Sequence, residues 1–260
     1  MRLDVYLVEN GLAESRECAK KLILAGQVQI DGVTVDKPAA EIKDEPEITV
    51  LTTDDYVGRG GLKLEAALRI FGVDPTGLRG IDIGASTGGF TDCLLRYGAI
   101  EVVALDAGYG QLHPKLLADP RVINIEKYNA RDLSSDDTGK AQIAVMDVSF
   151  ISQTYILPRI PQVLEDGGCL ISLIKPQFEA GRGALNKKGI VKAPRDRVAA
   201  VRRVITCAEQ CGLVCRGIAP SPIKGGDGNE EYLAYFTVGG TARAAEIAVE
   251  KTVLEGVIAL

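Results

Sequence analysis

Gly80-Ile81-Asp82-Ile83-Gly84-Ala85-Ser86-Thr87-Gly88-Gly89-Phe90-Thr91-Asp92-Cys93-Leu94-Leu95 is the stretch that decides the fold. A short apolar strand holding Ile81 and Ile83 ends in glycines and small residues, and an amphipathic helix begins near Gly88. A strand, a tight glycine turn and a helix N-terminus together form a nucleotide-binding corner in an open α/β sheet. Taken alone, the turn also admits a plain structural reading with no ligand.

Three cofactor patterns compete for this corner. A triphosphate loop needs G-x-x-x-x-G-K-S/T, and no lysine follows Gly88 or Gly89. The dinucleotide fingerprint G-x-G-x-x-G fails at its second glycine, where Ser86 stands. An S-adenosylmethionine site fits better: an acid in the strand, small residues in the turn, and a second acid closing the next strand. Asp82 is the first acid, and Asp106 ends the run Val102-Val103-Ala104-Leu105, 22 residues past Gly84. This reading assigns Asp82, Gly84, Ser86, Thr87, Gly88, Gly89, Phe90, Asp106 and Asp147 to the cofactor, with the Asp106 carboxylate accepting both ribose hydroxyls. Asn129, in Asn129-Ala130-Arg131-Asp132, is placed at the adenine edge.

The 260 residues suffice for one large domain and one small one. Hydrophobic residues make up 46% and charged residues 25%, the balance of a globular protein. No run approaches the ~20 apolar residues of a membrane span. Arg2, Asp4, Glu9 and Asn10 interrupt any signal peptide, so the expected location is cytoplasmic. The six cysteines then read as reduced core residues. Cys207 and Cys211 lie one helical turn apart, but the single histidine, His113, is remote and no C-x-x-C pair exists, so no metal is expected. Net charge is −5, yet residues 176–203 carry eight basic residues against Glu179 and Asp196. The acidic average hides a basic stretch.

Residues 1–55 read as a small α+β module. A helix from Arg2 to Val8 is followed by one from Arg16 to Ala25, capped by Ser15 and ended by Gly26. Val28 and Ile30, an Asp31-Gly32 hairpin, Val33 and Val35, and Ile48 to Leu51 supply strands. Arg16 and Lys20 share one helical face, beside Lys21. The order Arg2-Leu3-Asp4, Ser15-Arg16, Lys20, Gly26, Val28 and Ile30-Asp31-Gly32 resembles the S4 RNA-binding domain. That resemblance implies that Arg2, Arg16, Lys20 and Lys21 lie along a phosphate backbone, contacts that position an RNA without reading its sequence. Arg59 and Lys188 are further RNA-contact candidates.

Residues 56–61, rich in glycine, read as a hinge linker. A helix from Leu62 to Phe71 follows, with Lys63 on its first turn against the helix dipole. Strands are expected at 101–106, 121–125, 142–147, 168–174 and 213–218, and a last one over 231–236. A helix spans Pro194 to Cys211. The fold class is therefore α/β, with a Rossmann-like seven-stranded domain over 62–240 and a helical extension over 241–260. Asp82, Asp106, Asp147 and Lys175 all fall at carboxyl ends of strands, where ligands of such sheets bind.

The chemistry narrows by exclusion. Asp147-Val148-Ser149-Phe150 stands where enzymes acting on exocyclic base nitrogens carry N/D-P-P-Y/F, and Cys169 opens its strand, at the end away from the cofactor. Lys63, Asp147, Lys175 and Glu231 match in order and context the K-D-K-E set of ribose 2′-O-methyltransferases. With G-R-G-G-L-K-L, M-D-V-S-F-I-S, I-K-P-Q-F-E and G-N-E-E-Y-L, the chain resembles the TlyA, or haemolysin A, family over residues 1–240, with an FtsJ-like methyltransferase domain behind the S4 module. The resemblance implies S-adenosylmethionine-dependent 2′-O-methylation of cytidine in ribosomal RNA. A lysine can take the hydroxyl proton only if its own pKa is lowered, as a second lysine and partial burial would do, and Lys175 is the candidate base. Members with a longer N-terminal extension are linked to both subunits, and the start at Arg2-Leu3-Asp4 points to the large-subunit 23S RNA, with 16S RNA second. The other readings are a haemolysin-like membrane-active protein and a non-catalytic ribosome assembly factor.

Overall fold

A computed structural model describes residues 1–13, 16–24, 28–31, 33–35, 37–42, 46, 48–50, 56–225, 228–239 and 249–260. The chain divides into two compact units, Met1–Asp55 and Tyr56–Leu260. Ser15, Gly26, Gly32 and residues 241–248, read above as a cap, a helix end, a hairpin and a terminal helix, lie outside the described residues, as does the Lys21 side chain.

In the first unit, helices α1 (Leu3–Glu9) and α2 (Arg16–Leu24) accompany strands β1 (Val28–Ile30), β2 (Val33–Thr34) and β3 (Ile48–Val50), which form an antiparallel sheet in the order β2-β1-β3. Leu3 and Leu7, and Ala19 and Ile23, repeat at i,i+4 and bury one stripe of each helix with Val28 and Ile42. Asp4 is fully buried beside them. Its carboxylate takes Arg2 Nε at 2.9 Å and Arg16 Nη2 at 3.3 Å. The hydrogen bond from Arg2 is the main reason that its carboxyl titrates below the usual range, against the opposing effect of burial and with help from Arg16. Two candidate RNA-binding arginines, each about half exposed, thus radiate from one buried acid. Lys20 is exposed on α2.

In the second unit, α3 (Gly60–Phe71) leads to β4 (Arg79–Ile83), α4 (Gly89–Arg96), β5 (Glu101–Leu105), the single turn α5 (Pro114–Leu117), β6 (Val122–Ile125), α6 (Ser135–Thr138) and β7 (Ala141–Met146). Then follow α7 (Ile160–Val163), β8 (Leu164–Ile174), α8 (Pro176–Glu179), α9 (Pro194–Gln210), β9 (Leu213–Pro220), β10 (Tyr232–Val238) and α10 (Val249–Glu255). The described strands form one seven-stranded sheet in the order β6-β5-β4-β7-β8-β10-β9, parallel except for β10. Ile143, Ala144, Val145 and Met146 are fully buried, as a strand covered on both faces must be. One face packs on α3 and α4 through Leu64, Leu68, Phe90 and Leu94. The other packs on α9 and its neighbours through Val201, Val204 and Ile156. Strand β8 begins earlier than expected, at Leu164, but Cys169 pairs with Ile143 well before the carboxyl edge.

Register places the strand-end residues. Ile83 pairs with Met146, so Gly84 and Asp147 emerge side by side where the strand order reverses. Ile174 pairs with Tyr232 in the antiparallel β8–β10 ladder, so Lys175 leaves one strand beside Glu231 entering the other.

The segment 56–61, expected as a hinge, is instead packed within the second unit. A Cβ on Gly61 would sit 2.0 Å from Tyr56 Cγ, so only glycine admits the ring there. Arg96 stacks over that ring at 4.9 Å. The Val57 N–H donates to the buried Asp92 at 2.9 Å. Helix α3 accordingly starts at Gly60, two residues earlier than expected.

Asp82 and Gly88 shape the corner from beneath. Gly88 is the N-cap of α4 with φ +94°, and a Cβ there would meet Leu116 at 2.2 Å. A glycine cap has no side chain, and Asp82 supplies the missing acceptor: its Oδ2 takes the Thr91 N–H at 2.9 Å and the Thr91 hydroxyl at 2.7 Å. Asp82 is fully buried and its Oδ1 has no hydrogen-bond partner among the described residues. Burial pushes its pKa from 3.8 to about 7, against the bonds from Thr91 and with Asp147 and Asp106 adding to the rise. Between those values the folded chain retains a proton that the unfolded chain has released, so stability falls as pH rises through that window. Thermal unfolding of the native chain and Asp82→Asn from about pH 4 to about pH 8 should therefore show the native midpoint dropping relative to the variant. Parallel curves would contradict this account of Asp82.

Candidate active site

Two cavities open at the carboxyl edge of the second unit's sheet. The larger, about 590 Å³, is lined by Gly84, Ser86, Leu105, Asp106, Gly108, Gln111, Tyr128, Asn129, Asp147, Val148, Phe150 and Ile156. The smaller, about 280 Å³, is lined by Arg59, Lys63, Thr87, Gly89, Phe90, Lys175 and Glu231, and shares Gly84, Ser86, Asp147 and Ser149 with the larger.

The acid at the end of β5 is already oriented. Asp106 Oδ2 accepts from the Ser86 N–H at 2.8 Å, and Oδ1 accepts from the Gly108 N–H at 2.7 Å. Each carboxylate oxygen retains acceptor capacity after one such bond. Asn129 is held by its own Oδ1, which accepts from the Arg131 N–H at 3.1 Å. Leu105, Val148 and Ile156 give the same cavity apolar lining. An acid, an amide and an apolar slot are the chemistry that a nucleoside requires.

The smaller cavity holds two ion pairs. Lys63 Nζ meets Glu231 Oε2 at 2.5 Å, with the side chains 10% and 3% exposed. Lys175 Nζ lies 2.6 Å from Asp147 Oδ1 and donates to Ser149 Oγ at 2.8 Å. Lys63 therefore points inward from the first turn of α3, paired to a carboxylate across the fold rather than exposed, and this pairing accounts for a lysine placed against the helix dipole. The four charges that the sequence scattered over 169 positions converge on one cavity.

Not every expected residue stands at the cavities. Gly84, Ser86, Asp106, Asn129 and Asp147 line the larger, and Thr87, Gly89 and Phe90 line the smaller. Asp82 and Gly88 line neither: the first lies beneath the turn, tethering Thr91, and the second gives way to Leu112 and Leu116. Arg59, expected as an RNA contact, is exposed at the rim of the smaller cavity itself. Lys188 is exposed in a tight turn whose Asn186 Oδ1 accepts from the Lys188 and Ile190 N–H groups. His113 is exposed and caps α5 by accepting from the Lys115 N–H through Nδ1. Ser149 and Phe150 were missed. Ser149 had a signal, its position two residues past the strand-end acid. Phe150 had one as well, its place at the aromatic position of the turn after the strand-end acid, but its φ of +65° and 91% exposure arise from the loop that carries it.

The FtsJ-like methyltransferase family model matches residues 56–237, and the S4 domain model matches residues 1–48. The 16S/23S rRNA (cytidine-2'-O)-methyltransferase TlyA of Mycobacterium tuberculosis is 40% identical over 262 residues, covering 98% of each chain. Hemolysin A of Brachyspira hyodysenteriae is 45% identical, covering 92% of this chain and 100% of that protein. A solved structure from Streptococcus thermophilus that carries a hemolysin name matches with a TM-score of 0.78 at 40% identity, covering 98% of this chain and 95% of that one. The chain thus belongs to the FtsJ-like methyltransferase family, among its S4-bearing TlyA members.

Proposed function

We infer that the protein transfers a methyl group from S-adenosylmethionine to the ribose 2′-hydroxyl of a cytidine in ribosomal RNA, with 23S RNA the first acceptor to test and 16S RNA the second. The observation that carries this reading is the pair of lysine–carboxylate contacts in a cavity adjoining the one that Asp106 and Asn129 line. Bound S-adenosylmethionine supplies an electrophilic methyl group for in-line displacement by an acceptor oxygen. The donor set fits that group: Asp106 would take the ribose diol, Asn129 the adenine edge, and Leu105, Val148 and Ile156 the flat faces of the base.

The other residues work on the acceptor. A ribose hydroxyl is a weak acid, and a lysine takes its proton only in the neutral amine form. Lys175, held between Asp147 and Ser149, is the group positioned to receive it. Asp147 borders both cavities and orients the amine. Lys63, fixed by Glu231, supplies a second positive charge facing the developing alkoxide. Phe150, exposed at the rim of the larger cavity, offers a ring on which an RNA base can stack. In the first unit, Arg2, Arg16 and Lys20 would hold RNA phosphates. An acceptor within ribosomal RNA places the work in the cytoplasm.

No described helix is long and apolar enough to cross a bilayer. An assembly factor without catalysis would have no use for two ion pairs kept in a cavity beside that of the cofactor. Buried pairs are poor sources of stability, and breaking one leaves an uncompensated charge at a cost of ~3–5 kcal/mol. Lys63→Ala and Glu231→Ala would therefore confound folding with catalysis, and Lys175 is the cleaner probe.

Asp106→Ala should weaken S-adenosylmethionine binding by ~1.5–3 kcal/mol in calorimetry, the range for hydrogen bonds to a charged group. Unchanged affinity would remove Asp106 from the cofactor. Arg16→Ala should weaken ribosomal RNA binding and flatten its dependence on salt by about one phosphate contact. An unaltered salt slope would take Arg16 off the RNA. In single-turnover methylation with saturating cofactor, Lys175→Ala should lose ~10²–10⁴-fold in rate. Lys175→Arg should not recover it, because guanidinium stays protonated. An arginine variant within a few-fold of the native rate would reduce Lys175 to an electrostatic role.

A further inference from the structure

Two segments that leave adjacent parallel strands, Asp147 to Gln153 after β7 and Lys175 to Glu179 after β8, meet in steps. At the cavity, Lys175 meets Asp147 and Ser149. Farther along, the rings of Phe150 and Phe178 lie 5.3 Å apart, tilted by 52°. Glu179 closes the series. Its Oε2 accepts from the Ser152 hydroxyl at 2.5 Å and its Oε1 accepts from the Gln153 N–H at 2.8 Å.

That last contact is anchored from both sides. Gln153 Nε2 donates to the Leu173 carbonyl at 2.6 Å, and Gln153 Oε1 accepts from the Ser172 hydroxyl at 2.7 Å, which ties the first segment to β8. Arg203 of α9 donates to the Glu179 carbonyl at 2.6 Å. Glu179 and Gln153 are 2% and 1% exposed. Burial raises the Glu179 pKa, against the bonds from Ser152 and Gln153. A carboxylate is a costly filler for such a place, and an apolar side chain of equal volume would spare the desolvation. What the carboxylate adds is direction: two hydrogen bonds fix the far end of a loop whose Phe150 sits at φ +65°, a conformation that persists only when its surroundings over-determine it.

We propose that Glu179 is a positioning residue that holds the Asp147–Gln153 loop against Lys175, so that Asp147 and Ser149 meet the lysine amine at the acceptor cavity. Glu179 lines neither cavity and so acts through these residues. The proposal rests on the reading of Lys175 as the proton acceptor.

Glutamine should serve in its place. Glu179→Gln keeps one oxygen for the Gln153 N–H, and its amide can donate to Ser152. That hydroxyl can then turn its own proton to Thr154 Oγ1, 2.7 Å away. Alanine keeps neither bond. The test is steady-state methylation of ribosomal RNA at saturating cofactor by the full chain, with cofactor affinity measured separately. Glu179→Ala should lower kcat by about 10–100-fold, the scale of an ångström-level misplacement, with KM for RNA and cofactor affinity within a few-fold of native. Glu179→Gln should restore most of the loss. If the alanine variant does not fold, Ser152→Ala decides: a reduced kcat at unchanged KM supports the proposal. Native kcat in Glu179→Ala, or in Ser152→Ala where that is the deciding variant, overturns it. So does a loss in Glu179→Ala that glutamine fails to restore. Lys175→Ala in the same assay separates the two levels: if it stays active the reading of the site falls, and if it is inactive while Glu179→Ala is native, only the positioning role falls.

Discussion

The order of one sheet is the constraint on which the site depends. Strand β4 sits where the order reverses, so Gly84 and Asp147 open side by side at the switch point. Strand β10 runs antiparallel next to β8, so the residue entering β10 lies beside the residue leaving β8. Those two registers bring Glu231 and Lys175 together although they are far apart in the chain. Helix α3 then delivers Lys63 from the face of the sheet onto Glu231. Any slip of one residue in β10 would turn Glu231 to the other face and leave Lys63 buried without a counter-charge.

A similar economy operates in the first unit. Its net charge gives no sign of an RNA-binding surface, and its acids outnumber its bases over the first fifty residues. One of those acids, Asp4, is itself the reason that two arginines stand in fixed positions. Counting charge by sign alone would set Asp4 against the unit's bases, whereas the geometry makes it the anchor of two of them.

Much of this was legible in the sequence because strand ends carry a local signature. An apolar run followed by an acid or a lysine identifies the carboxyl edge of a parallel strand, and Asp106, Asp147 and Lys175 were each placed that way. What was not legible depends on the third dimension. Asp82 looks like a ligand residue because it sits in the glycine stretch, yet its side chain points beneath the turn and caps a helix that begins with two glycines. The glycines at 58, 60 and 61 look like a hinge because glycine permits motion, yet at Gly61 the lack of a side chain is what lets Tyr56 pack. Glu179 reads as one more charge in a basic stretch, and only the fold shows that it is buried against Ser152 and Gln153. Composition reports residue types, and contact decides whether a glycine moves or packs and whether a charge is solvated or held.

The central claim is that the methyl group goes to a ribose oxygen rather than to a base. The most direct measurement is to incubate ribosomal RNA, lacking its own modification at the target, with the full chain and S-adenosylmethionine carrying a labelled methyl group, then digest to nucleosides and identify the labelled species. The account predicts label in 2′-O-methylcytidine and none in any base-methylated nucleoside. Label on a base, with the ribose unmodified, would contradict it.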